Sequence, residues 1–195
     1  MNNYFNKIKK PLFILIMGAV IVGFYFYLSN RKVDNTEKIH KNTPVTQITE
    51  RDLELNYPGT PRSVVTFYSD VLKVIYSETL SEKEIRTIAS KLQGIFDDEL
   101  LAYNPFEMYV DSLKDEIKEY KTANRIVADY LVDENSYIDF FTYQKQDYAK
   151  VDVTYFQHEG KSVIKTYEKF TLRKDKNGRW KILYWEVGKA SDMEK

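Results

Sequence analysis

The residues equipped for chemistry are few and scattered. Two histidines, His40 and His158, lie far apart in the chain, without the helical or hairpin spacing of a zinc site. No cysteine is present, which removes thiolate nucleophiles, thiolate metal ligands and lipid attachment through sulfur. A serine–histidine–acid triad would have to recruit one of the same two histidines, and no glycine-rich loop opens a helix to cradle phosphate. The run Asp97-Asp98-Glu99 offers oxygen ligands. It lacks the alternating spacing and central glycine of a calcium loop and reads as a charge cluster at a helix end or start.

Two carboxylates remain as candidate bases. Glu168 alternates with Ile164, Thr166, Phe170 and Leu172, which directs it to the apolar face of a strand, where burial moves a carboxyl into the general acid–base range. Asp139 stands between Tyr137 and Phe141. The competing reading of Glu168 is a paired or edge-exposed carboxylate, since Lys165, Lys169 and Arg173 make the strand's other face basic. No catalytic, cofactor-binding or metal-binding set is expected. Glu168 is the single catalytic candidate, and enzyme activity is not expected.

The elements that would position these residues follow from periodicity. Thr60-Pro61 supplies an N-cap and a first helical residue, and Val64, Tyr68, Val71, Leu72, Ile75 and Tyr76 recur at helical spacing. Ser81 with Glu84 forms a capping box before a second helix carrying Ile85, Ile88, Ala89, Leu92, Ile95 and Phe96. Asn104-Pro105 opens a third, with Tyr109, Val110, Leu113, Ile117 and Tyr120 along one side. Strands are then predicted over 125–134, 137–143, 148–157, 162–173 and 179–187, with Gln144 to Asp147 as a hairpin loop and Asn177-Gly178 as a tight turn. Along the third strand Ala149, Val151, Val153 and Tyr155 share one face. Helices first and hairpins afterwards give an α+β fold, with about three helices packed on a curved antiparallel sheet.

Before this domain comes an apolar run from Pro11 to Leu28 behind Lys7, Lys9 and Lys10. Roughly 18 residues at about 1.5 Å each give about 27 Å, enough for a thin bilayer core. The run ends in Phe24, Tyr25, Phe26 and Tyr27 with no small-residue cleavage site. It therefore reads as an uncleaved signal anchor with an aromatic interfacial belt, and not as a cleaved signal peptide. The basic cluster favours an inside N-terminus. The expected organisation is a cytoplasmic segment at 1–10, a transmembrane anchor at 11–29, a juxtamembrane linker at 30–56, the α+β domain at 57–188 and a polar tail at 189–195. The linker is polar and without sustained period, with Ile48, Leu53 and Leu55 as its first contacts to the domain. Lysine plus arginine and aspartate plus glutamate balance at 29 each, which excludes a sequence-independent nucleic-acid binder. Aromatics make up 15% of the chain, so a β-rich core or a broad aromatic surface must accommodate them.

The order of elements resembles the nuclear-transport-factor-2-like, or cystatin-like, superfamily. Tyr57-Pro58-Gly59-Thr60-Pro61-Arg62, Phe67-Tyr68, Phe96-Asp97-Asp98-Glu99-Leu100-Leu101, Lys165-Thr166-Tyr167-Glu168 and Gly178-Arg179-Trp180-Lys181-Ile182-Leu183 are similar to an uncharacterised family of anchored proteins from Firmicute-type bacteria. That resemblance implies a cone-shaped domain and an extracytoplasmic location, and it carries no catalytic residues. The superfamily includes ketosteroid isomerase-like and dehydratase-like enzymes with a buried base inside the cone. The expected function is a single-pass, non-catalytic binding or scaffolding module of the cell envelope with an envelope protein as partner. The alternatives are a cone that binds or senses a small molecule and, third, an isomerase- or dehydratase-like enzyme. The oligomeric state is left open.

Overall fold

A computed structural model describes residues 43–188, which form an α+β unit. The expected cytoplasmic segment, the anchor at 11–29, the linker up to 42 and the tail at 189–195 lie outside the described residues. Among the described residues no helix is long and apolar enough to cross a membrane.

Among the described residues five helices precede the sheet: α1 (Pro44–Thr49), α2 (Pro61–Ser77), α3 (Glu82–Gln93), α4 (Asp98–Tyr103) and α5 (Phe106–Thr122). The expected three are α2, α3 and α5. Thr60 caps α2 by accepting from the Ser63 N–H at 3.1 Å, and Ser81 caps α3 in a capping box with Glu84. The two further helices have six residues each, too short to show a hydrophobic period. Each rests on a cap instead, Thr43 for α1 and Asp97 for α4. Helix α1 falls within the stretch read as a linker. Val45 and Ile48, one turn apart, are buried in the core, and that burial holds a polar segment onto the domain. Leu53 packs partly against the core, whereas Leu55 is exposed.

The strands are β1 (Arg125–Val132), β2 (Asp139–Tyr143), β3 (Gln146–Glu159), β4 (Ser162–Lys174) and β5 (Trp180–Val187). All pairings among them are antiparallel. β1 and β2 lie end to end on one side of β3, separated by a 3-10 turn at Asn135–Tyr137, and β4 and β5 follow on the other side. The sheet is open. The β2–β3 turn contains only Gln144 and Lys145, at φ 48° and 65°, because Gln146 already pairs with Tyr143. Two left-handed residues in succession twist the chain as the flanking strands require. Gly178, at φ 77°, closes the last hairpin.

The core lies between α2, α3, α5 and the sheet face that carries Ala149, Val151, Val153, Tyr155, Phe170, Leu172 and Ile182. Its centre is filled by rings. Tyr68 meets Phe170 at 5.2 Å and Trp185 at 5.4 Å between centroids, and Phe96 meets Tyr109 at 5.6 Å. The chain after α3 extends along β5. Ile182 donates to the Ile95 carbonyl at 2.9 Å and accepts from the Asp97 N–H at 2.8 Å.

Candidate functional site

Glu168 sits on β4 opposite Val153 of β3 and Val187 of β5. The two-residue period of the strand places it on the same face as Phe170 and Leu172, which are fully buried. It therefore points toward the helices, as its alternation implied. The residue is half-buried, but its Oε2 is shut off from solvent and, among the described residues, has no hydrogen-bond partner. Burial, and secondly the Glu116 carboxylate on α5, push the Glu168 carboxyl up to about 7. Besides Glu116, tyrosine phenols surround it. Burial first and the charge of Glu168 among the further causes raise Tyr68 of α2 and Tyr155 of β3 well above the usual phenol range, and raise Tyr120 of α5. Tyr155 shares a 2.9 Å hydrogen bond with the Ser69 hydroxyl, and Tyr120 stacks on Tyr76 at 3.8 Å. A carboxyl titrating near neutrality among neutral phenols can offer a proton or, once ionised, accept one.

The other carboxylate candidate is elsewhere. Asp139 is exposed at the start of β2, opposite Lys150, so it does not share a site with Glu168. His158 is exposed on β3, and His40 lies outside the described residues. The acidic run caps a helix. Asp97 accepts from the Glu99 N–H at 3.0 Å and takes both Nε and Nη2 of Arg173, whose Nη1 reaches Glu99 at 2.8 Å. These oxygens hold α4 to β4. Among the described residues no group of three or more His, Asp or Glu could hold a metal ion.

A second feature is the edge formed by β2. All five of its residues are exposed, Phe140 by 56% and Tyr143 by 60%. On one face Phe140 meets the Trp180 ring edge-on at 5.9 Å. On the other Phe141 stacks on Tyr148 at 5.2 Å, with the Lys150 ammonium 5.3 Å from the Phe141 ring centroid. The hairpin is distant from the start of α1. A groove of about 310 Å³ between α1 and α2 is lined by Pro44, Gln47, Arg51, Asp70, Lys73, Ser77 and Glu78, which puts residue 44 near the C-terminal end of α2. At the other end of α2, Arg62 donates to the carbonyl of Asp133 at 2.9 Å, in the connection from β1 to β2. The 17 residues of α2 separate the two ends by about 25 Å.

A family model described as Domain of unknown function (DUF6715) matches residues 1–185. The chain belongs to this family. No curated protein matches it. In this DUF6715 chain the match extends through the apolar run, α1 and all the helices and reaches into β5. The family description brings no residue roles, so the two features above rest on geometry alone. Alternation offered the apolar face for Glu168 as one of two readings, beside a paired or edge-exposed carboxylate. The proximity of Glu116 and Tyr120 was not legible, because it depends on how α5 is rotated against the sheet. The exposed aromatic edge had one signal in the sequence. Adjacent Phe140 and Phe141 cannot both face a one-sided core.

Proposed function

We propose that this chain is a non-catalytic module, tethered to a bacterial cell membrane by a single span at residues 11–29 and displayed outside the cytoplasm, that binds another protein of the envelope. The observation that carries this reading is β2, an edge strand with every residue exposed and three of its five side chains aromatic. Soluble domains usually blunt such an edge or use it. The ring-filled centre of the domain supports binding at the surface over turnover inside. Helices on one face of an open antiparallel sheet fit a nuclear-transport-factor-2-like cone of the kind used as an assembly part, and a tether that ends near residue 43 leaves the β2 hairpin at the far end of α2.

The test is photo-crosslinking of the full-length chain in its own membrane, with probes at Phe140 and Tyr143 and mass spectrometry of the products. The expected result is a dominant protein adduct that disappears in the Phe140→Lys variant. Absence of any protein adduct at either position refutes the reading.

One observation favours a second reading. The Oε2 of Glu168, without a partner among the described residues, could bond a small molecule that enters the cone, as a sensor or as an isomerase- or dehydratase-like enzyme. Binding or turnover lost in Glu168→Gln, with the fold intact, would select it.

A further inference from the structure

The backbone of β2 is self-complementary. In a hairpin closed by a two-residue turn, Tyr143 and Gln146 form the hydrogen-bonded pair next to the turn. Alternation along an antiparallel ladder then gives Tyr143, Phe141 and Asp139 their bonds to β3, while Phe140 and Thr142 aim their N–H and C=O groups away from the sheet. Among the described residues β2 pairs with no strand other than β3. The outward groups belong to residues placed symmetrically about Phe141. A second β2 laid antiparallel across a twofold axis at Phe141 would match Phe140 with Thr142 of the copy, and Thr142 with Phe140, satisfying every outward group of those two residues.

The charges agree with this pairing. Asp139 is the only charged residue of β2. In that register it lies opposite Tyr143 of the copy, and the Lys145 turn residue of the copy is its diagonal neighbour, about 8 Å away. Opposite charges therefore meet at both ends of the seam, and the two Asp139 side chains stand about 13 Å apart. The strand also lacks the lysine, proline or bulge with which natural edges discourage self-pairing. Its aromatic side chains, exposed in the single chain, would meet across the seam, with the two Phe141 rings side by side.

From this we infer that β2 pairs with β2 of a second copy of this chain, continuing the sheet across a twofold axis at Phe141. This deepens the binding-module reading and rests on it, naming a copy of the same chain as the occupant of the edge.

The absence of cysteine allows a direct test. Facing residues in a non-hydrogen-bonded antiparallel pair have Cα atoms about 4.5 Å apart, within disulfide reach. The full-length chain carrying Phe141→Cys, in membranes or detergent, should oxidise to a disulfide dimer at least about tenfold faster than the chain carrying Val163→Cys, because pairing raises the local thiol concentration. Val163 is an exposed residue of β4 remote from the seam. Adding Thr142→Pro removes one outward N–H and the exposed Thr142–Asp147 side-chain bond while leaving the backbone bonds to β3, so it should abolish the fast disulfide without changing the circular dichroism spectrum. Equal oxidation rates for the two cysteine variants overturn the inference, as does a fast disulfide that survives Thr142→Pro. If the photo-probes capture a different protein and the Phe141→Cys variant does not dimerise, the self-pairing falls and the binding-module reading stands. If neither probe captures protein and no dimer forms, both fall.

Discussion

Glu168 makes the stability of this domain depend on pH in a way that one substitution should erase. Its carboxyl titrates at about 7 in the folded chain against 4.5 without burial. At about 1.4 kcal/mol for each tenfold change in proton affinity, ionising it in place costs the fold about 3 kcal/mol. The folded state holds the proton more tightly, so unfolding releases it. The contribution is fully present below pH 4.5, declines as pH rises through 7 and is lost above it. Glu168→Gln cannot ionise and keeps the shape. For a domain of this size about 1 kcal/mol corresponds to roughly 2–4 °C in Tm. The Tm difference between variant and parent should therefore change by about 6–12 °C between pH 4.5 and pH 8.5, in favour of glutamine at the alkaline end. The assay is thermal unfolding of the full-length chain followed by circular dichroism at closely spaced pH values. Carboxylates remote from Glu168 contribute equally in both proteins and cancel in the difference. Parallel Tm curves across the range would show that Glu168 is solvated in the folded chain, and the reasoning would fail.

Two further predictions concern buried polar contacts. Arg173→Met should destabilise the domain by about 3 kcal/mol in chemical denaturation, because Asp97, 4% exposed, would lose the guanidinium that neutralises it; a loss below about 1 kcal/mol would show that the Asp97 carboxylate does not depend on Arg173. Ser69→Ala should cost about 1–3 kcal/mol by orphaning the buried Tyr155 hydroxyl. Combining it with Tyr155→Phe should cost less than the two single changes together, and strict additivity in that cycle would dismiss the bond as a stabilising contact.

Much of the framework is legible in local sequence. The caps at Thr60 and Ser81 act on the next turn of chain, and the alternation from Ala149 to Tyr155 reflects the pleat of one strand. These signals span a handful of residues, and they remain readable wherever the segment ends up. Helices α1 and α4 escape because six residues complete less than two turns, too few for an apolar stripe. Val45 and Ile48 look like isolated apolar residues in a polar linker until the rest of the core is present to cover them. The four residues from Gln144 to Asp147 look like a loop by composition, yet the ladder closes after two, since pairing of Gln146 with Tyr143 outweighs the polarity of the segment.

The sequence by itself determined the α+β class and the principal helices and strands, because periodicity and capping are properties of neighbouring residues. Only the tertiary structure decided that Oε2 of Glu168 is closed off beside Glu116 and three tyrosines, that Asp97 is held by Arg173, and that among the described residues β2 pairs with β3 alone. Each of these depends on groups brought together from distant parts of the chain, where desolvation and strand order are set by packing as a whole.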